Sequence, residues 1–148
     1  MSPQVGVYGK AEADADIAVH AAVVDAHHTN LSALVFVIDG GGSVIAIGEK
    51  GYLRVPFAGE IERVTLVADQ VGDIKVDIWK DTYGNFPPDD DDTICGANEP
   101  EISSAQKDED STLTDWATSL LEGDILAFNV DSCTTITRVT VGLRLAKS

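Results

Sequence analysis

Cysteine is scarce in this chain. The 148 residues include two cysteines, Cys95 and Cys133, and no Cys-x-x-Cys pair. A disulfide-stapled scaffold or a cysteine-based zinc site would need more cysteines at closer spacing. We therefore expect two free thiols, and a single disulfide between them is the alternative.

Long hydrophobic runs are also missing. The apolar run at residues 34–38 is far too short to cross a bilayer, which takes about 20 residues in a helix. The first residues combine neither a basic segment nor an apolar stretch, so we expect no secretion signal. Membrane insertion is not expected.

Positive charge is the third deficit. Lysine and arginine number 10 against 25 acidic residues, which gives a formal net charge of -15. Such a surface repels phosphate backbones and anionic lipid headgroups, so we expect no nucleic-acid partner. The acidic excess does favour solubility at the high local concentration of a multicopy assembly.

Catalytic motifs are absent as well. The sequence contains no Gly-x-Ser-x-Gly elbow, His-Glu-x-x-His motif, phosphate loop or dinucleotide fingerprint. All three histidines fall within the first 28 residues, away from the part of the chain that could form a cleft. We expect a protein that is not an enzyme and that needs no cofactor.

A heptad stripe marks the first part of the chain. Apolar residues and histidines recur there at alternating steps of three and four: Ile17, His20, Val24, His27, Leu31 and Leu34. This spacing is typical of a coiled-coil seam, which needs partner helices to bury it. The Ala-rich residues 11–28 favour a helix, although Val19, Ala21 and Val23 would also suit a strand. We therefore predict that residues 1–34 form an arm and a short helical segment that makes a trimer.

Two groups of residues are weak candidates for binding an ion. His20 and His27 occupy equivalent seam positions, where three copies would form rings of imidazoles. The run Asp89 to Asp92 offers carboxylates for calcium but lacks the spacing of an EF-hand loop. We favour a register-setting role for the two histidines and a solvated loop for the acidic run.

From residue 35 onward the pattern changes to short strands. Alternating or apolar runs are separated by Gly, Pro and Asp turns, at residues 35–38, 43–47, 52–57, 61–68, 73–79, 111–116, 124–130 and 134–145. This spacing predicts an antiparallel β-sandwich, jelly-roll-like, over residues 35–148. The polar residues 81–110 are predicted to be a surface excursion, of the kind that often carries function.

Aromatic residues are few, and most have a structural explanation. Trp79 and Trp116 belong to strand-like runs, so we expect them in the core. Tyr83 and Phe86 lie in the polar excursion beside Asn85 and are the better candidates for contacting a glycan, since exposed aromatic rings can stack on sugars.

Longer strings resemble a known module. The resemblance covers roughly residues 35–145 and includes the strings Ile38-Asp-Gly-Gly-Gly, Gly51-Tyr-Leu-Arg-Val-Pro-Phe, Val64-Thr-Leu-Val-Ala-Asp, Val76-Asp-Ile-Trp-Lys-Asp and Asp110-Ser-Thr-Leu-Thr-Asp-Trp. Together they are similar to a module in virion proteins of tailed bacteriophages. Upstream, Val19-His-Ala-Ala and Asp25-Ala-His-His resemble linker segments of phage tail-fibre proteins.

The resemblance implies a structural role in a virion. It suggests a homotrimeric surface projection, either a capsid decoration or head fibre or a tail fibre, which is assembled in the bacterial host cytoplasm. Other virion proteins would bind the N-terminal segment, and the β head would face the host surface and its glycans. The rival interpretation is a carbohydrate-binding module of a bacterial secreted or surface protein, using Tyr83, Asn85 and Phe86.

Overall fold

The computed structural model describes residues 30–148, which form a β-rich unit. Its strands are β1 (Leu31–Asp39), β2 (Gly48–Arg54), β3 (Gly59–Asp81), β4 (Glu101–Asp110), β5 (Ser119–Leu120), β6 (Ile125–Thr134) and β7 (Arg138–Lys147). Two short 3₁₀ helices, Tyr83–Asn85 and Asp90–Asp92, lie between β3 and β4. The predicted mainly-β class is confirmed.

All the strands belong to one antiparallel sheet, which is organised around β3. This strand is 23 residues long. Its first half pairs with β7, its second half pairs with β6, and β4 runs along its other side. On the side away from β3, β7 pairs with β1 and β6 pairs with β2. The sheet thus has two halves that share β3 and β4.

The two halves enclose a single core. Inward side chains alternate with outward ones along β7 and the first half of β3, as expected for strands with one buried face. Phe128 in β6 and Phe36 in β1 stack with ring centroids 4.4 Å apart, although these strands belong to different halves. Because both halves contribute to the same hydrophobic cluster, the sheet curls around it. The structure therefore shows a curled antiparallel sheet, and it does not show the jelly-roll-like sandwich that we predicted.

Two aspartates of β3 fasten the bend between the halves. The Asp69 carboxylate accepts hydrogen bonds from the backbone N–H of Thr137 and Arg138, at 3.1 and 3.0 Å, and from the Thr137 hydroxyl. Asp73 accepts from the Ser104 N–H at 2.8 Å and from the Thr134 hydroxyl at 2.9 Å. These bonds join β3 to the β6–β7 connection on one side and to β4 on the other.

The start of β1 corrects the predicted heptad seam. Leu31 and Leu34 lie in this strand, where Leu34 is buried in the β core and Leu31 is 42% exposed. The seam therefore cannot continue as a helix to residue 34, and the β unit starts at Leu31 rather than at residue 35. The period-two pattern of residues 31–38 outweighs the heptad spacing because alternate side chains enter the core. Ile17, His20, Val24 and His27 lie outside the described residues, as does the predicted helix.

The acidic strand β4 was not predicted. It occupies residues that we expected to be a loop, and Ile102 is its one fully buried apolar side chain. An edge strand often carries charged side chains, because they are exposed there and discourage pairing with other chains. The polar composition of these residues therefore gave no indication of a strand.

Two predicted strands are absent from the structure. Residues 111–116 form a turn in which Leu113 and Asp115 adopt positive φ angles of 51° and 65°. The Asp110 carboxylate stabilises that turn by accepting from the N–H groups of Thr112 and Leu113. Residues 43–47 are a connection that inserts Ile45 into the core.

Both thiols are free, as predicted. Cys95 is buried, and that burial raises the pKa of its thiol well above the usual range. Among the described residues, no helix is long and apolar enough to span a bilayer.

Gly72 should be essential to the bend. A Cβ atom at this position would collide with the Thr134 carbonyl oxygen and would lie 2.6 Å from Thr135 Oγ1. We predict that Gly72→Ala lowers the free energy of unfolding by about 1–3 kcal/mol, the usual cost of overpacking. Urea unfolding of the full chain measures it. The control is Gly84→Ala, because a Cβ there has only Thr82 Oγ1 within 4.0 Å; equal losses in both variants would contradict the explanation.

Acid should remove the contribution of Asp69. Hydrogen bonds from Thr137 and Arg138 lower the pKa of this carboxyl below its usual 3.8, so the charged form is favoured in the folded state. Its stabilisation is therefore complete above pH 4 and disappears as the pH falls through the lowered folded pKa. We predict that Asp69→Ala lowers Tm by a few degrees at pH 7 and that the gap from wild type closes towards pH 2. Asp90→Asn, in the exposed 3₁₀ helix Asp90–Asp92, is the control, and a gap that stays constant with pH would refute the assignment.

Candidate functional site

The end of β3 places two aromatic side chains on the surface. The Asp81 carboxylate accepts hydrogen bonds from the Thr82 N–H at 2.7 Å and from the Asn85 side-chain amide at 3.2 Å. The Thr82 side chain in turn accepts from the Asn85 N–H, which caps the 3₁₀ helix Tyr83–Asn85. These bonds fix the backbone that presents Tyr83 and Phe86, which are 64% and 47% exposed.

The neighbouring strand β2 contributes two more side chains to this surface. Tyr52 and Arg54 are two residues apart, so they project from the same face of the strand. The Tyr52 and Phe86 rings meet edge to face, with centroids 4.7 Å apart, and the Arg54 guanidinium lies 4.6 Å from the Tyr83 ring centroid. We call Tyr52, Arg54, Tyr83 and Phe86 the aromatic patch.

The aromatic patch rests on a buried floor. Tyr52 lies opposite Ala127 of β6, and Arg54 lies opposite Ile125. Both floor residues are buried on the outward face of β6, while its other face packs in the core. Ala127 in turn pairs with Trp79 of β3. Trp79 is half-buried, whereas we predicted it in the core. The patch is therefore supported by the sheet and not by a loose loop.

The electrostatics of the patch are mixed. The pKa of Tyr52 is raised, chiefly by hydrogen bonding to the Glu49 carboxylate and also by its negative charge. Arg54 supplies a positive charge, which is held by a cation–π contact with Tyr83. Aromatic faces with hydrogen-bonding groups at their edges suit a neutral polyol surface better than a phosphate or a metal ion.

A group of three acids lies further along the outward face. Carboxylate oxygens of Asp77, Glu99 and Asp131 lie within 4.8 Å of one another. Burial and the charges of the other two acids raise the pKa of Glu99. Asp77 accepts hydrogen bonds from Trp79 Nε1 at 2.9 Å and from the Thr93 hydroxyl at 2.5 Å. These bonds give Asp77 a structural role, because they tie the excursion after β3 to the sheet.

The acidic run at 89–92 stabilises its own turn. Asp89 accepts from the Asp91 N–H at 3.0 Å, while the Asp92 carboxylate accepts from the Asp89 N–H at 2.9 Å. This reciprocal pair is a capping box at the 3₁₀ helix Asp90–Asp92. Carboxylate oxygens of Asp89, Asp90 and Asp91 also lie within 4.8 Å of one another on an exposed surface. The turn is explained by these hydrogen bonds without an ion.

The structure brings together most of the residues suggested for glycan contact. Tyr83 and Phe86 both belong to the aromatic patch, whereas the Asn85 amide donates to Asp81 and so helps to fix the turn. Arg54 was missed by the sequence interpretation. The signal that could have found it is the Tyr52-Leu53-Arg54 alternation, which places an arginine on the same strand face as an exposed tyrosine.

Sequence comparisons leave the chain without an assigned family. No protein-family model matches it, and no curated protein sequence matches it.

Solved structures show distant similarity to the β unit. A serine protease of Aeromonas sobria is 9% identical with a TM-score of 0.32, over 82% of this chain and 29% of the protease. The coat protein dimer of Tobacco streak virus is 10% identical with a TM-score of 0.33, over 81% of this chain and 87% of the coat protein. A CBM4 structure is 10% identical with a TM-score of 0.29, over 78% of this chain and 82% of that protein. The chain thus spans less than a third of the protease, and the similar structures include both viral coat proteins and a carbohydrate-binding module.

Proposed function

We propose that this chain is a non-enzymatic structural protein of a bacteriophage virion. In this proposal its jelly-roll-like β head projects from the particle surface as part of a homotrimer, as a capsid decoration, head fibre or tail fibre. The head contacts host-surface saccharides through the aromatic patch. The N-terminal segment, with Ile17, His20, Val24 and His27, holds the copies together and mounts them on other virion proteins.

The observation that carries the saccharide contact is the aromatic patch itself. Three aromatic side chains are 44%, 64% and 47% exposed within one contiguous surface, although apolar groups of this size are usually buried. Contiguous exposed apolar surface on a soluble protein commonly marks a binding site. The T-shaped contact between Tyr52 and Phe86 presents one ring edge and one ring face, which offers stacking surface to a pyranose ring.

Polar groups around the rings supply directional contacts. The Tyr83 hydroxyl and the Arg54 guanidinium can donate to sugar oxygens, and the Tyr52 hydroxyl and the Glu49 carboxylate can accept from sugar hydroxyls. The rings are held on strand β2 and on a capped 3₁₀ helix, so little side-chain or loop freedom is lost when a ligand binds. This combination suits weak, repeated contacts, whose avidity rises when three heads bind the same surface.

A carbohydrate-binding module of a bacterial secreted or surface protein is the second candidate. It would use the same aromatic patch, so saccharide binding alone does not separate it from a virion protein. Antibody labelling of intact virions does separate them. Label on the particle supports the virion role, whereas labelling confined to the host cell surface or secretions supports the module.

Removal of the exposed rings should weaken saccharide binding. We predict that Tyr83→Ala and Phe86→Ala each reduce affinity about tenfold, the equivalent of losing one stacking contact of about 1.4 kcal/mol. The measurement is a glycan array of the full chain, followed by calorimetric titration of the strongest ligand. Val71→Ala is the matched control, because Val71 is a 59% exposed apolar residue at the bend, ten residues away from Asp81 along β3.

Two results would count against this site. One is a folded wild-type protein that binds no glycan on the array. The other is affinity that survives both ring substitutions while their Tm falls, because the aromatic contacts would then serve only to attach the excursion to β2.

A further inference from the structure

Strand β1 has an outward face made entirely of apolar side chains up to its last residue. Leu31, Val35 and Val37 are 42%, 55% and 52% exposed, and Ala33 is exposed between them. The alternate residues Leu34, Phe36 and Ile38 face the core. We call Leu31, Ala33, Val35 and Val37 the β1 stripe. A strand with one solvated face normally alternates apolar and polar residues, and β1 does not.

Beside Val35 and Val37 the neighbouring surface is also uncharged, whereas Ala33 lies opposite Arg144, which forms an ion pair with Glu62. Directly opposite residues in an antiparallel pair lie on the same face. Across β7 and β3, Val37 is followed by Thr140 and then Val67, and Val35 is followed by Gly142 and Thr65. Along this line of paired residues from Val35, the first carboxylate is that of Glu109 on β4, three strands away. Val67 is itself 46% exposed, so the apolar surface continues beyond β1.

Gly142 adds a shallow notch to this face. A Cβ atom at Gly142 would have only the Thr65 carbonyl oxygen, 4.0 Å away, as a neighbour. The space between Val35 and Thr65 is therefore open on the outward side. A methyl-sized group fits at this point without displacing a neighbouring atom.

The other long edges of the described sheet are protected and β1 is not. Among residues 30–148, β1, β2 and β4 each pair on one side only. Edge strands usually carry charged residues that prevent pairing with other chains. Charged residues occur in the sequence of β4 at Glu101, Lys107, Asp108, Glu109 and Asp110 and in that of β2 at Glu49, Lys50 and Arg54, whereas β1 carries only its terminal Asp39.

We propose that the β1 stripe is the surface through which a second copy of this chain packs against the head. Copies that each carry a formal charge of -15 repel one another, so they meet most readily where outward carboxylates are missing. Burial of exposed Leu and Val side chains then supplies the attraction.

The position of β1 in the chain favours a second copy over an unrelated partner. The predicted seam residue His27 is four residues before Leu31, a span of at most about 14 Å even when extended. Copies whose seams meet therefore bring the beginnings of their β1 strands close together. The inference rests on the proposed homo-oligomer, but it concerns the heads and not the seam.

The test is the mass of the full chain by light scattering, with Val35→Glu/Val37→Glu and the milder Val35→Thr/Val37→Thr. Both positions point outward, so the folded strand tolerates either pair. We expect wild type to associate and the glutamate pair to raise the concentration needed for association at least tenfold, with a smaller shift for the threonine pair. Val71→Glu is the matched control, because Val71 is 59% exposed and lies on β3 beyond the residues that pair with β7; it should leave the mass unchanged.

A wild-type oligomer that both pairs leave unchanged, or a wild-type monomer, overturns the inference. A wild-type oligomer that both pairs leave unchanged places the contact elsewhere, while the proposed homo-oligomer survives. A wild-type monomer in which Val35 and Val37 resist hydroxyl-radical oxidation shows that another segment of the same chain covers the stripe. If the glutamate pair loses its β-sheet circular dichroism, the threonine pair decides the result. Saccharide binding is measured separately, so its failure leaves this test intact.

Discussion

The fold of this protein depends on one bent strand. β3 pairs with β7 before the bend and with β6 after it, so it belongs to both halves of the sheet. The bend is possible because Gly72 has no side chain to collide with the Thr134 carbonyl. Asp69 and Asp73 then satisfy backbone N–H groups that lose their ladder partners where the strands turn. Without the bend the two faces of apolar side chains could not close on one core.

The bend also separates the two surfaces to which we assign proposed functions. The aromatic patch lies where β3 ends, beside β2 in the half built on β6. The β1 stripe lies in the other half, where β1 pairs with β7. A head with these surfaces apart can contact its neighbours through one half while the other half remains free to meet a ligand. The acidic strand β4 runs along β3 through both halves, and its charge discourages association there.

The sequence revealed the class of fold better than its boundaries. Alternating apolar runs identified most strands, because inward residues such as Val139 and Val141 recur every second position. They did not distinguish Leu34 in a heptad from Leu34 in a strand, since both patterns place an apolar residue there and only the core decides. They also missed β4, whose charged outward residues are tolerated because it lies at an edge. Tyr83 and Phe86 were recognisable as exposed, but their contacts with Arg54 and Tyr52 depend on β2 lying beside the end of β3.

The central claim is that the aromatic patch binds saccharide, and ring resonances test it most directly. An NMR titration of the full chain with an oligosaccharide, followed in the aromatic ¹H–¹³C spectrum, reports each ring separately. The account predicts that the largest shift changes occur at Tyr52, Tyr83 and Phe86, while the core ring of Phe128 is unaffected. Shift changes concentrated on another face, or no changes at saturating saccharide, would contradict it.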